Sequence, residues 1–257
     1  MTKFLASIGR AVLNFLSETG RLSIFCFAAF INLFRRPLYI KAIIGQMVEI
    51  GYYSLPVVGL TAIFTGAVLA LQSYDGFSRM GAESAIATVV VLSITRELGP
   101  VLAGLMVAGR VGASIAAEIG TMRITEQVDA LITLSTNPIK YLVTPRVIAA
   151  IFMLPCLVVV ADIIGVMGGY LISVYHLGFS SDVYLEDTFK YLERRDVVSG
   201  LIKSSVFGFI IAIIGCYNGY YSAKGAQGVG NATTNAVVVS SILILLSNYL
   251  LTSIFLE

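Results

Sequence analysis

Five long apolar runs constrain the fold of this chain more than any other feature of its sequence. Each run is close to the ~20 residues that a helix needs to cross ~30 Å of hydrocarbon. The runs cover residues 50–74, 84–109, 147–175, 197–222 and 236–256. Hydrophobic residues make up 57% of the 257 residues, against roughly 45–50% in soluble domains. The sequence therefore predicts an all-α integral membrane protein with about five transmembrane helices.

The N-terminal region, residues 1–45, differs from the transmembrane core that we predict for residues 46–257. Its apolar stretch, residues 22–34, is short and is bounded by basic residues on both sides. Such a segment is typical of an amphipathic helix that lies in the membrane interface. A signal peptide is the alternative, but no convincing small-residue cleavage site follows the apolar stretch.

The distribution of Lys and Arg predicts the orientation of the chain in the membrane. With a cytoplasmic N-terminus, most of these residues fall in the cytoplasmic segments, which are residues 1–49, 110–146 and 223–235. The opposite side holds only Arg79, Lys190, Arg194 and Arg195. The N-terminus is therefore predicted to be cytoplasmic and the C-terminus external. The external loop, residues 176–196, is acidic and long enough to contain a short helix.

A short polar segment, residues 118–131, joins the second and third apolar runs on the predicted cytoplasmic side. At about 100° per residue, one side of a helix here would carry Glu118, Met122, Thr125, Glu126 and Asp129. The other side would carry Ile124, Val128 and Leu131. We predict a helix along the membrane surface that ends before Pro138. It is either an ordinary amphipathic loop helix or the element that passes motion from a soluble motor into the membrane core.

Arg96 and Glu97 are charged residues inside the second apolar run. A charge at the centre of a span costs about 2.5–3.5 kcal/mol on insertion scales, so both must face protein, water or a lipid headgroup. Adjacent helical residues point about 100° apart, which predicts a different partner for each. In one interpretation they border a lipid cavity, where Arg96 binds phosphate oxygens through its planar donor fork. In the other they form buried ion pairs, for example that of Glu97 with Lys203.

Two further intramembrane features indicate packing. Asp162 has no second acidic residue on the same predicted helix, which favours a hydrogen-bonded structural role over a proton relay. Small residues recur at every fourth position along the second span and allow helices to approach closely. They are Gly104, Ala108, Gly112, Ala116 and Gly120. This stripe packs either between two copies of the chain or within one copy.

The chain contains no signature of catalysis or of cofactor binding. The glycine-rich sequence GAQGVGN at residues 225–231 lacks the Lys-Ser/Thr pair of a P-loop, so it is predicted to be a flexible loop. Any ATP must be hydrolysed by a partner. One histidine and three widely separated cysteines predict no metal site and no disulfide framework. A net charge of +2, dispersed between apolar runs, argues against a nucleic-acid partner.

The sequence LSITRELGPVLAGLMVAGRVGASIAAEIGTMRITEQVDAL at residues 92–131, followed by NPIKYLVTPRVIA, resembles the MlaE (YrbE) family of ABC-transporter permeases. The resemblance covers essentially the whole chain, including GAVLALQSY at 66–74, LIKSSVFG at 201–208 and NATTNAVVVSS at 231–241. It implies one permease domain, residues 1–257, that forms a homodimer. It also implies a cytoplasmic ABC ATPase, a periplasmic MCE-domain protein and often a small STAS-domain subunit as partners.

The same resemblance implies a function. Members of the family move phospholipid between the inner and outer membranes of Gram-negative bacteria and so serve outer-membrane lipid asymmetry, and a plastid-envelope branch exists. The implied location is the bacterial inner membrane, with several spans, a cytoplasmic N-terminus and a periplasmic C-terminus. The implied coupling helix docks on the ATPase through Glu118, Gly120, Met122, Arg123, Glu126 and Asp129. The implied lipid cavity includes Leu69, Gln72 and Tyr74 beside Arg96 and Glu97.

The sequence departs from the family pattern at one position, and two other classes of membrane protein are alternatives. Asn137 stands where relatives often have Asp before the proline, which affects only a charge contact at that turn. A secondary transporter, or a flippase for another lipid, is the alternative function, but five spans do not divide into the inverted repeats typical of secondary transporters. An intramembrane enzyme is less consistent still, because Ser114 and His176 are predicted to lie on opposite sides of the membrane.

Overall fold

Helices account for all of the regular structure in the computed structural model, which describes residues 2–33, 35, 39–79, 81 and 85–256. The α-helices are α1 Thr2–Leu33, α2 Ile40–Ile50, α3 Leu55–Ser78, α4 Ala85–Ser93, α5 Gly99–Val107, α6 Ala113–Ile124, α7 Gln127–Thr133, α8 Thr144–Tyr175, α9 Ser181–Tyr191, α10 Arg194–Tyr220 and α11 Ala226–Leu256. Two π-helical segments, Ile94–Leu98 and Ala108–Gly112, interrupt the second span, and a third, Ile139–Val143, precedes α8.

Five helical stretches in the described part of the chain are long and apolar enough to cross a membrane. They are Ile40–Ser78, Ala85–Ile124, Ile139–Tyr175, Arg194–Tyr220 and Ala226–Phe255. The predicted all-α membrane architecture is confirmed. All five stretches are longer than the predicted apolar runs; the second, with 40 residues, measures about 60 Å, twice the hydrocarbon thickness. The boundary predicted between residues 45 and 46 falls within α2.

A short non-α segment interrupts the first span where α2 meets α3. A 3₁₀ turn, Tyr52–Ser54, joins the two helices, and Arg110 from the second span holds it in place. The Arg110 guanidinium donates to the backbone oxygen of Glu49 at 3.0 Å, to its carboxylate at 3.1 Å and to the Ser54 hydroxyl at 2.9 Å. The ion pair of Arg110 with Glu49 explains why the second span continues past its apolar run, which ends before Arg110.

Glycines allow the spans to approach closely. A Cβ at Gly66 of α3 would overlap the backbone of Gly165 in α8, and one at Gly168 would overlap the carbonyl of Ile63. Likewise, a Cβ at Gly208 of α10 would overlap the carbonyl group of Ala150 in α8. Together α3, α8 and α10 therefore form a tightly packed centre, against which the second span lies.

The stripe of small residues along the second span packs within one copy of the chain. An added Cβ at Gly104 would lie 3.2 Å from Phe207 of α10, and one at Gly112 would lie 3.5 Å from Ile211. Near the other end, Gly120 contacts Ser222 and Val229. Of the two arrangements left open by the sequence, the structure forms the one inside a single copy.

The N-terminal helix α1 is longer than its apolar stretch and forms one continuous helix. Phe25 and Ala29 are buried, and the Phe25 ring packs on Tyr217 and Tyr220 of α10 at centroid distances of 5.6 and 5.9 Å. On other sides of α1, large apolar side chains such as Phe27 are exposed. Its position in the membrane interface stays a prediction. The short helix expected in the loop 176–196 is α9. The sequence GAQGVGN at residues 225–231 is not the flexible loop predicted, because α11 already begins at Ala226.

Candidate functional site

A π-helical segment, Ile94–Leu98, presents Arg96 and Glu97 to the rest of the bundle. Pro100 has no N–H group, so the carbonyl of Arg96 lacks its usual helical partner. The N–H of Gly99 instead bonds to the oxygen of Ile94, five residues earlier. Lys203 of α10 satisfies the free carbonyl, since its Nζ donates to Arg96 O at 3.0 Å. Pro100 therefore explains the local π-helical widening, and the buried Lys203 satisfies the carbonyl that the proline leaves without a helical partner.

Glu97 is the centre of a polar network between three spans. Lys203 Nζ lies 2.7 Å from its Oε1, and the Lys203 side chain is only 2% exposed. Two residues of α11 complete the network: Asn248 Nδ2 donates to Oε2 at 2.9 Å and Thr252 Oγ1 donates to Oε1 at 3.0 Å. The ion pair of Glu97 with Lys203 was one of the two arrangements considered from the sequence. Asn248 and Thr252 were not foreseen, because neutral polar residues in a span carry no comparable signal.

Arg96 has a different partner, as expected for its different direction from the helix. Its Nε lies 2.7 Å from Oδ1 of Asp196, whose side chain is only 7% exposed, whereas the Arg96 side chain is 42% exposed. Asp196 was not identified from the sequence. Its signal is the spacing to Glu193, because the two form a reciprocal capping box at the start of α10. Arg96 is thus anchored on one side and accessible on the other.

These residues line a charged cavity of about 180 Å³ at the end of the bundle where α10 begins and α11 ends. Its walls are Arg96, Glu97, Glu193, Arg195, Asp196, Ser199, Lys203, Thr252 and Phe255. Three cationic and three anionic side chains therefore surround one small space in an otherwise apolar protein. Such a cavity is suited to a polar or charged group on a molecule that also enters a membrane.

The three residues assigned to the lipid cavity from α3 lie elsewhere in the single chain. Leu69 and Gln72 line an open groove on the outer surface of α3, together with Phe64, Thr65 and Val68. Tyr74 packs its ring on Phe179 at a centroid distance of 5.9 Å. Within one chain, the structure therefore does not bring these residues into the charged cavity.

The polar segment 118–131 is not one continuous helix, so that prediction is wrong. Helix α6 ends at Ile124, and α7 begins at Gln127 after a turn in which Glu126 has a left-handed backbone with φ 58°. The Thr125 hydroxyl bonds to the oxygen of Thr121 at 2.9 Å, a local bond that competes with helix continuation. The helical projection assumed from sequence therefore fails after Ile124.

The charged residues of this segment have unequal surroundings. Glu118 Oε2 lies 2.8 Å from Nη2 of Arg146, whose side chain is only 5% exposed. Arg123 pairs with Asp129 at 2.6 Å. Glu126 is exposed and forms no ion pair with any described residue. Of the acidic face predicted to dock on a partner, Glu126 alone is therefore left unpaired within the described chain.

The remaining members of the predicted coupling set also differ in exposure. Gly120 is buried, and an added Cβ there would meet Ser222 and Val229, so the structure shows it packing inside the chain. Met122 is half-buried. Arg123 lies over the Tyr220 ring at 5.9 Å, which connects this segment to α10.

Two other predicted features can be placed. Asp162 is buried, but its Oδ1 has no hydrogen-bond partner among the described residues and lies against Gly99, so the predicted hydrogen bond is not formed at that atom. Within the part of the chain that the structure describes, no cluster of His, Cys, Asp and Glu could hold a metal ion. Cys26, Cys156 and Cys216 are free thiols.

Comparison with known proteins decides what kind of membrane protein carries this site. The model of the family described as Permease MlaE matches residues 43–254. The chain belongs to the MlaE permease family. The resemblance identified from the sequence is thereby confirmed, and the permease is a multi-pass membrane subunit of an ABC transporter, which implies an ATPase partner.

Individual relatives support the same assignment. The permease is similar to a probable ABC transporter permease protein of Rickettsia felis, with 69% identity over 249 residues, 97% of this chain and 96% of the relative. A probable ABC transporter permease protein of Synechocystis is 47% identical over 206 residues, which cover 80% and 78% of the two chains. The chloroplastic protein TRIGALACTOSYLDIACYLGLYCEROL 1 of Arabidopsis thaliana is 40% identical over 212 residues, 82% of this chain and 61% of the relative.

Proposed function

We propose that the permease moves phospholipids between the inner and outer membranes of a Gram-negative bacterium, driven by a separate cytoplasmic ATPase. The observation that carries this proposal is the charged cavity around Arg96 and Glu97 in a bundle that otherwise presents apolar surface. A phospholipid needs both environments, because its headgroup is charged and its two acyl chains are not. The open groove on α3 that contains Leu69 and Gln72 offers the apolar surface.

The names of relatives support a lipid as the substrate class. The Arabidopsis relative is named after trigalactosyldiacylglycerol, a glycerolipid with two acyl chains. We extend the lipid class, and not that particular lipid, to the permease. Arg96 binds a phosphate oxygen in this proposal, because its guanidinium is partly exposed to the cavity while Asp196 holds its inner side.

The turn between α6 and α7 is the proposed docking element for the ATPase. Glu126 lies at this turn with an exposed side chain and a left-handed backbone that costs a non-glycine residue roughly 1–2 kcal/mol. Strained backbone of this kind is concentrated at functional sites. Its carboxylate is suited to a basic groove on the ATPase, while the ion pairs of Glu118 and Asp129 fix the two helices on either side.

The proposed assembly follows the family resemblance. It contains two copies of the permease, the ATPase, a periplasmic MCE-domain protein and a STAS-domain subunit, in the bacterial inner membrane. The N-terminus is cytoplasmic and the C-terminus periplasmic, in agreement with the distribution of Lys and Arg. Only 11% of the most apolar stretch of the fifth span is buried, against 28–56% of the corresponding stretches in the other four spans. This leaves exposed apolar surface on α11 for a second copy.

A paired substitution tests the proposed role of Arg96. Arg96→Leu alone would leave the buried Asp196 without its partner, so we combine it with Asp196→Asn. We expect the double variant to insert and to unfold near the wild-type temperature but to transport phospholipid about tenfold more slowly, the effect of losing about 1.4 kcal/mol of charge-assisted binding. The measurement is ATP-dependent transfer of labelled phospholipid from proteoliposomes containing the purified transporter.

The exposed pair Arg79 and Asp75 provides the control, since Arg79→Leu with Asp75→Asn removes the same charges away from the cavity. Normal transport by the Arg96 and Asp196 double variant would contradict the headgroup role. Transport that needs no ATP would instead favour a secondary transporter or a flippase for another lipid.

A further inference from the structure

The charged cavity contains one cation and one anion that are not used in its ion pairs. Arg96 pairs with Asp196, and Lys203 pairs with Glu97, each at 2.7 Å. The other two charged residues that line it, Arg195 and Glu193, form no ion pair with any described residue. The cavity is therefore neutral overall, but one positive and one negative group remain available.

Both of these groups are held by bonds that leave their charges uncompensated. Arg195 Nη2 donates to the backbone oxygen of Phe255 at 2.9 Å, a neutral acceptor. The Glu193 carboxylate accepts from the backbone N–H of Asp196 in the capping box, a neutral donor. Glu193 and Arg195 are exposed, and they are separated by one residue at the start of α10. Two opposite charges, two residues apart in the sequence, thus line the same cavity.

We propose that this cavity selects zwitterionic phospholipids, whose headgroup joins a phosphate diester to an ammonium group, over phospholipids with a net negative charge. The proposal rests on the proposed function. Arg195 joins Arg96 in binding the phosphate and Glu193 binds the ammonium group, so each of the two unpaired charges meets its opposite. Phosphatidylglycerol, an anionic phospholipid, has no ammonium group to compensate the repulsion between its phosphate and the Glu193 carboxylate. A net positive cavity would have favoured the anionic lipid instead.

The test measures which lipids stay bound to the permease. The purified transporter is equilibrated in bilayers of equal parts phosphatidylethanolamine and phosphatidylglycerol with matched acyl chains. It is then extracted in mild detergent, and mass spectrometry gives the total phospholipid per permease and the ratio of the two headgroups. We expect the wild type to retain phosphatidylethanolamine in excess and Glu193→Gln to shift the ratio about threefold toward phosphatidylglycerol, the scale of an exposed charge interaction.

Two further variants keep the test decisive. Glu186→Gln removes the same charge from the exposed side of α9, outside the cavity, and is expected to leave the ratio unchanged. Glu193→Ser also removes the charge but retains a preferred helix-capping residue, so a loss of folding in Glu193→Gln does not prevent the measurement. We expect Glu193→Ser to give the same shift as Glu193→Gln.

The outcomes separate this inference from the proposed function. Phospholipid bound by the wild type in the proportions of the bilayer, or equal shifts in the Glu193 and Glu186 variants, would overturn the headgroup selection alone. A wild-type transporter that retains no phospholipid at all would overturn the proposed function and the selection together.

Discussion

Lys203 is the most deeply buried charged residue of the cavity, and the stability of the network depends on it. Replacing it with Met removes the ammonium group and leaves Glu97 with two neutral donors. We expect Lys203→Met to reduce the free energy of unfolding by about 2 kcal/mol, less than the ~3–5 kcal/mol for a fully buried pair, because Glu97 is 38% exposed. Thermal unfolding in detergent measures the change.

The double variant Lys203→Met with Glu97→Gln provides the matched comparison. It removes both charges, so no carboxylate is left without a counterion, and we expect it to recover most of the lost stability. If the double variant is as unstable as Lys203→Met, the ion pair does not explain the burial of Lys203.

Glu118 forms an ion pair inside the chain that its position in the sequence did not predict. Helical projection placed it on the docking face, whereas the structure pairs it with the buried guanidinium of Arg146. We expect Glu118→Gln to lower the free energy of unfolding by about 1–3 kcal/mol, because it leaves a buried cation with no countercharge. Glu126→Gln, at an exposed and unpaired position, should change it by less than about 0.5 kcal/mol. Equal unfolding temperatures for the two variants would contradict this assignment.

Only some residues of the charged site could be identified from the sequence. Arg96, Glu97 and Lys203 could be identified because an intramembrane charge needs a partner or a function. Asp196, Arg146 and the neutral partners of Glu97 could not, since they lie at helix ends or resemble ordinary packing residues until the spans are brought together.

At the scale of elements, the apolar runs predicted the existence of the spans better than their ends. The second span continues beyond its apolar run because Arg110 and Glu118 form ion pairs with residues distant in sequence. A local sequence pattern does not contain these partners. The break at Glu126 was missed for a related reason. Periodicity assumes a continuous helix, and the break depends on a side-chain bond of Thr125 and a left-handed residue.

The left-handed residue at this break permits a test in which coupling is lost while stability is kept or increased. Glu126→Gly removes the strained Cβ and the carboxylate together. We expect unchanged stability or a gain of up to about 1 kcal/mol, because relief of strain offsets the conformational freedom of glycine. We also expect lipid-stimulated ATP hydrolysis to fall, since the proposed contact with the ATPase is lost.

Ser135 provides the control for this substitution, because its φ of 57° is also left-handed and it lies beyond α7. Ser135→Gly should give a similar change in unfolding temperature with normal ATP hydrolysis. If Glu126→Gly couples hydrolysis to lipid movement at the wild-type rate, the turn is an ordinary surface connection.

At the scale of the whole molecule, the exposed apolar surface of α11 indicates that a single chain is incomplete. Side chains such as Ile242, Leu246 and Tyr249 are more than half exposed, and the small-residue stripe, considered from the sequence as a contact between two copies, packs inside one. We expect native mass measurement in a nanodisc to give two permease copies per transporter. One copy in a transporter that is active for lipid movement would contradict the homodimer.

The central claim is that the permease moves phospholipid only when a separate ATPase hydrolyses ATP. The most direct measurement is the transfer of labelled phosphatidylethanolamine out of proteoliposomes that contain the transporter purified through a tag on the permease. We expect transfer with ATP and magnesium, and none with a non-hydrolysable ATP analogue or with the permease alone. Equal transfer without ATP hydrolysis, or by the permease without its ATPase, would contradict it.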